Sequence, residues 1–199
     1  MKKVLELIHE HATHHSDQPA LSDASGKTLL WREVPAAVAE LQAILEAFEA
    51  DRPIAHACDN TIADVITILA IASLSRLEAA IDARLMPDEQ LRRCESIEAS
   101  WLSKEIKDSI FADESHITTV VHTFHPEVDS SGYLIWTSGT TAVPKPVHLS
   151  HEGWLANAAA KKRCVPQDSS SRRVTLLPIA HSYARTCDVG TWLISGGHL

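Results

Sequence analysis

The stretch GYLIWTSGTTAVPKPVHLSHEGWLA, residues 132–156, decides how this chain reads. Tyr133 to Ser138 (YLIWTS) carries the aromatic and β-branched residues of a strand. A helix pattern starts at about Ser150 and runs to Arg163. Between them, TSGTTAVPKP (137–146) holds four hydroxyl residues, one glycine and a lysine set between two prolines, in a chain with only 7 glycines and 9 prolines among 199 residues. Gly139 lets the backbone turn so that successive N–H groups face one point. Thr137, Ser138, Thr140 and Thr141 add hydroxyl donors, and Lys145 adds a positive charge. Donors converging after a strand suit a polyphosphate. A Ser/Thr-rich turn whose hydroxyls bond their own backbone accounts for the same composition.

A Walker-type loop does not fit. Gly139 and Lys145 are six positions apart, as GxxxxGK[ST] requires. However, Pro144 stands at the second glycine, and Pro146 replaces the hydroxyl residue that would bind magnesium.

Outward from this stretch, apolar spacing gives a helix over Val4–Thr13 and an amphipathic helix over Pro35–Phe48. PALSD (19–23) and TLLW (28–31) read as two short strands joined by a glycine turn. PIAHAC (53–58) is a strand, Asp59-Asn60 supplies cap residues, and TIADVITILAIASL is a helix buried on most sides. EAAID (78–82) is a further strand, and Pro87 opens a helix with acids at its positive end. ITTVV (117–121) and VTLLP (174–178) extend the strand set, while 122–132 reads as a loop. Strands alternating with helices predict an α/β doubly wound sheet. TWLISGGHL stops just after Gly196-Gly197, where another strand should begin, so the chain is expected to be a truncated piece of a longer protein.

At 45% hydrophobic and 22% charged residues, the composition is that of a soluble globular domain. The formal net charge of -8 argues against nucleic acid as a partner, because phosphate neutralisation needs Lys and Arg. Four scattered cysteines without a CxxC pair suit a reducing, cytoplasmic setting. The longest apolar run, Ile62–Leu74, contains Asp64 and is too short for a transmembrane segment. Of 12 histidines, His9, His11, His14 and His15 cluster on the first helix. Without acidic or thiol ligands at motif spacing they read as surface residues, and no metal site is expected.

IWTSGTTAVPKPVHLSH resembles the phosphate-binding signature of the adenylate-forming superfamily, TSGTTGxPKG followed by Ser-His. Thr137, Ser138, Gly139, Thr140, Thr141, Pro144, Lys145, Ser150 and His151 match it in order. HHSDQPALSDASGKTLLWREV resembles that family's opening, PIAHACDNTIADVITILAIASL its strand, Asn and long helix, and LLPIAHSYAR its LPLxHxxxR segment. The likeness covers the chain as the first part of the large N-terminal domain of acyl- and aryl-CoA synthetases, adenylation domains and luciferases. It departs at Ala142 and Pro146, which replace loop glycines. Alanine at a positive-φ position costs about 1 kcal/mol.

The resemblance implies an ATP-dependent acid–thiol ligase that activates a carboxylic acid, a fatty acid by the form of LLPIAHSYAR, as acyl-AMP. Mg²⁺ would accompany ATP, and CoA or the phosphopantetheine of an acyl carrier protein would take the acyl group. It places Thr137, Ser138, Gly139, Thr140, Thr141 and Lys145 on the phosphates and His181 beside the adenylate. Tyr183 and Arg185 are secondary candidates, with Arg185 alternatively paired to Asp188. The family's adenine, magnesium-glutamate and ribose motifs, and its C-terminal lid domain, are absent from residues 1–199. The isolated chain is therefore expected to be incomplete for catalysis. The alternative is a free-standing, non-catalytic module that binds a nucleotide or a protein.

Overall fold

The computed structural model describes residues 2–111, 131–137 and 144–199. Its centre is a five-stranded sheet in the order β5-β3-β4-β6-β7. β3 (Ile54–Cys58), β4 (Leu77–Asp82), β5 (Ser100–Leu102) and β6 (Gly132–Trp136) run parallel, and β7 (Pro146–Ser150) returns antiparallel on β6. A separate hairpin joins β1 (Pro19–Ser22) to β2 (Thr28–Leu30).

Side chains alternate across the sheet, so β3, β4 and β6 each feed two cores. Ile54, Cys58 and Ala80 join the larger core, where α1 (Lys2–His14), α2 (Val34–Leu45), α3 (Ile62–Ser73) and α6 (His151–Cys164) pack. Ala55, Ala79, Ile81 and Leu134 face the other way, onto Cys94 of α4 (Pro87–Ser96). The β3–α3–β4 crossover thus covers one face, and the β4–α4–β5 crossover covers the opposite one. Successive crossovers in opposite directions open a crevice at the carboxyl ends of β3 and β4, the place where open α/β sheets bind ligands.

All twelve residues of α3 are buried, as its nearly unbroken apolar sequence predicts. Ile66, Ile68, Leu69 and Ile71 are entirely out of water; each such side chain contributes about 1.5–3 kcal/mol. Thr61 starts the helix in a capping box: its hydroxyl accepts from the Asp64 N–H at 3.2 Å, and Asp64 accepts from the Thr61 N–H at 3.0 Å. Asn60, expected to share in the cap, instead takes a left-handed backbone with φ 58° and turns its side chain elsewhere.

Several expectations change. The sequence pattern runs the loop directly into a helix at Ser150, but residues 146–150 form strand β7 first, and Ser150 then caps α6 by accepting from the Gly153 N–H at 3.1 Å. Gly132 is required in this hairpin because a Cβ there would collide with the His148 ring and the Leu149 carbonyl. β5 and α5 (Lys104–Ser109) were not anticipated, their patterns being too short to show a period. VTLLP is not a strand: Val174 and Leu176 are 79% and 85% exposed. TWLIS forms the whole of α8 (Thr191–Ser195). The chain then does extend after Gly196-Gly197: the Leu199 N–H donates to Ala20 of β1, and the Ser22 N–H donates back to Leu199. ITTVV and most of the 122–132 loop lie outside the described residues. Among the described residues no helix is long and apolar enough to cross a membrane.

Candidate active site at the carboxyl edge of the sheet

Thr137 follows β6 and Lys145 precedes β7, so the hairpin brings them face to face. The Thr137 N–H donates to the Lys145 carbonyl at 3.0 Å, and the Lys145 N–H donates to the Thr137 hydroxyl at 3.2 Å. That hydroxyl accepts from the backbone and keeps its own hydrogen to donate outward. Both residues are exposed, and Lys145 makes no ion pair among the described residues. An exposed hydroxyl and an exposed lysine at one hairpin mouth suit an anion. Pro146 starts β7 on the edge of the sheet, paired with Trp136, where a missing N–H is tolerated. Ser138, Gly139, Thr140, Thr141 and Ala142 lie outside the described residues.

His181 reaches the same edge from the far end of the chain. It precedes α7 (Ser182–Ala184) in an extended backbone, and its N–H donates to the Pro178 carbonyl at 2.9 Å. Its Nε2 lies 3.6 Å from Asp82, the last residue of β4, and the imidazole is 58% exposed. Asp82 is itself held by Arg84, whose Nη2 donates at 2.7 Å. That hydrogen bond keeps the carboxyl below its ordinary range despite partial burial. The structure thus brings His181, Thr137 and Lys145 to one edge. Tyr183 is 63% exposed.

Arg185 lies on the other side of this edge, in the core. It opens a π-helical turn (Arg185–Gly190) that leads into α8. It does not pair with Asp188, which instead receives Arg173 at 2.7 Å. Its guanidinium binds both carboxylate oxygens of Glu78 and lies over the rings of Tyr133 and Trp154, 4.9 and 5.3 Å from their centroids. Glu78 and Asp82 are four residues apart on β4 and share a face. One strand therefore anchors Arg185 through Glu78 and faces His181 with Asp82.

Glu78 also meets His56 Nε2 at 2.9 Å, and His56 Nδ1 approaches the Cys58 thiol at 3.5 Å. Asp64 completes a buried His, Cys and Asp group with the spacing of metal ligands. The Lys107 ammonium already sits there, 2.5 Å from Asp64 Oδ1 and from the Ala57 carbonyl. Burial holds the His56 imidazole neutral and pushes the Cys58 thiol up. With the Lys107 ammonium resident, these side chains form a buried ion-pair network. No spacing in the sequence announces it, because its members come from β3, α3, β4 and α5.

His11, read as a surface residue, is in fact buried, with Nε2 2.8 Å from the Leu193 carbonyl and its ring against Trp31 and Gly196.

This fold recurs in enzymes that form adenylates. Over 96% of the chain, the structure superposes on the Bacillus subtilis O-succinylbenzoate Coenzyme A synthetase (MenE) in complex with AMP, with a TM-score of 0.74 and 17% identity. Over 98% it superposes on the Klebsiella oxytoca NpsA N-terminal subdomain in complex with 3-hydroxyanthranilyl-AMSN, with a TM-score of 0.79 and 15% identity.

In sequence, residues 8–199 match the family model of the AMP-binding enzymes, and the chain belongs to that family. It is 38% identical over 68 residues to the Arabidopsis thaliana "Long chain acyl-CoA synthetase 6, peroxisomal", an alignment covering 34% of this chain and 10% of that protein. It is 27% identical over 177 residues to tyrocidine synthase 3 of Brevibacillus parabrevis, covering 80% of this chain and 3% of that protein. The chain spans 54% of the MenE structure and 51% of the NpsA subdomain, and corresponds to an N-terminal portion of such enzymes.

Proposed function

We propose that residues 1–199 form the first part of the AMP-binding domain of an ATP-dependent acid–thiol ligase, whose lid domain lies outside this stretch. A carboxylate oxygen of the acid attacks the α-phosphorus of ATP. The bond from that phosphorus to the bridging oxygen breaks, and pyrophosphate leaves with the electron pair. A thiol sulfur, of CoA or a carrier-protein phosphopantetheine, then attacks the acyl carbon; AMP leaves and the thiol proton is released. Two anions must be held together for the first step, so positioning and charge stabilisation carry the catalysis.

The observation that carries this reading is the Thr137–Lys145 hairpin mouth, which joins a hydroxyl residue to a lysine through their backbones at the end of the sheet that also bears His181. Thr137, Ser138, Thr140, Thr141 and Lys145 would hold the β- and γ-phosphates, with Gly139 allowing the turn, and Mg²⁺ would offset the phosphate charge. His181 would stand beside the adenylate. Similarity to a long-chain acyl-CoA synthetase supports a fatty acid as substrate, and the four scattered cysteines support a cytoplasmic setting. Pyrophosphate exchange into ATP, run with a panel of acids on the protein at its natural length, tests the reading. Exchange should depend on the acid and be greatest with fatty acids. A protein that shows no acid-dependent exchange is not a ligase, and a non-catalytic nucleotide- or protein-binding module takes its place.

A further inference from the structure

The segment bearing His181 has no strand of its own: residues 174–178 are irregular and largely exposed. Something else must hold the imidazole at the edge of β4. Asp82 approaches at 3.6 Å, beyond hydrogen-bond reach, and Arg185 anchors only the far end of the segment. The near end is held by Asn60, from the turn after β3. Its Nδ2 donates to the Leu177 carbonyl at 2.9 Å, and its Oδ1 accepts from the Ile179 N–H at 2.9 Å. One carboxamide thus satisfies both a donor and an acceptor of a backbone that has no ladder partner there, as a neighbouring strand would. The left-handed backbone at Asn60, φ 58°, turns the side chain out of the α3 cap and across the crevice. Asparagine tolerates that conformation, and glycine would adopt it more readily still.

We propose that Asn60 is a positioning residue: its side chain clamps residues 177–179 and thereby sets where His181 stands at the carboxyl ends of β3 and β4. The clamp spans the β3–β4 crevice, so it orders the mouth of the site without touching the reacting atoms. Its catalytic consequence rests on the ligase reading given above.

Two variants separate the clamp from a mere turn. Asn60→Gly keeps the left-handed backbone and removes the carboxamide, while Asn60→Asp keeps the Oδ1 acceptor and loses the donor. In hydrogen exchange, the Ile179 amide should open about tenfold faster in Asn60→Gly, the weight of one hydrogen bond, and recover in Asn60→Asp. Amides of β3 and β4 should be unchanged. In acid-dependent pyrophosphate exchange, Asn60→Gly should lower kcat by about tenfold to a hundredfold with little change in KM for ATP. Unaltered Ile179 protection in Asn60→Gly overturns the clamp. Faster Ile179 exchange with full kcat in an active protein overturns the positioning role. An unsubstituted protein without acid-dependent exchange sinks the ligase reading and Asn60's catalytic part with it, while the amide result still decides the clamp.

Discussion

The carboxylate of Glu78, near the start of β4, grips the guanidinium of Arg185 through both of its oxygens, and neither side chain is more than 1% exposed. A residue on the central strand therefore fixes the segment that follows His181. Removing one partner leaves the other charge buried and alone, so Glu78→Ala should destabilise the fold by about 3–5 kcal/mol. Replacing both, Glu78→Met with Arg185→Met, should cost less than Glu78→Ala alone. Urea denaturation of the single and double variants checks this. A double variant as unstable as the sum of its parts would show that the pair is not coupled.

His151 yields a pH dependence. Its ring is buried against Tyr133 and Trp154, and neither nitrogen has a hydrogen-bond partner among the described residues. Burial pushes its pKa down to about 4. The folded state therefore resists a proton that the unfolded chain accepts near its ordinary value, and stability falls as the pH drops from the unfolded pKa toward the folded one. Between pH 7 and pH 5 this group should cost the fold about 2 kcal/mol. His151→Phe, which keeps an aromatic ring in the site, should flatten that part of the profile. The measurement is the denaturation midpoint at the two pH values, and an equal pH loss in the variant would remove His151 as its source.

Lys145 supplies a cation at the hairpin mouth that makes no ion pair among the described residues. Lys145→Ala should slow acid-dependent pyrophosphate exchange about a hundredfold, the usual weight of one charge-stabilising donor. Stability should move little, since the side chain is exposed. Lys145→Arg should recover part of the rate. A Lys145→Ala protein with undiminished exchange would place the phosphates elsewhere.

The fold and the site were legible to different depths. β3, α3 and β4 stood out because a buried parallel unit demands long apolar runs with cap residues at their ends. The hydroxyl-rich loop and His181 stood out through motif residues in order. β7 hid inside the motif because PVHLS is exposed at four of its five positions and shows no buried alternation. VTLLP misled for the opposite reason: its apolar residues imitate a buried strand, yet Val174 and Leu176 face water. The roles of Arg185 and Asn60 could not be read at all. Their partners, Glu78 and the 177–179 backbone, lie 107 and up to 119 positions away, and no local period encodes such a pairing.

The wholly buried helix α3 has a kinetic consequence. Residues 54–82 place two adjacent parallel strands and the helix between them in one unbroken stretch, closed by the Thr61 capping box. Its contacts need only short loop closure, whereas docking of the 177–185 segment must wait for most of the chain. This unit is therefore expected to form in the folding transition state. Ile66→Val, a loss of about 1 kcal/mol, should slow refolding by up to about fivefold and leave unfolding nearly untouched. A truncation of comparable cost at Val189 should speed unfolding instead. The same strands that frame the crevice would then be the first to exist and the last to come apart.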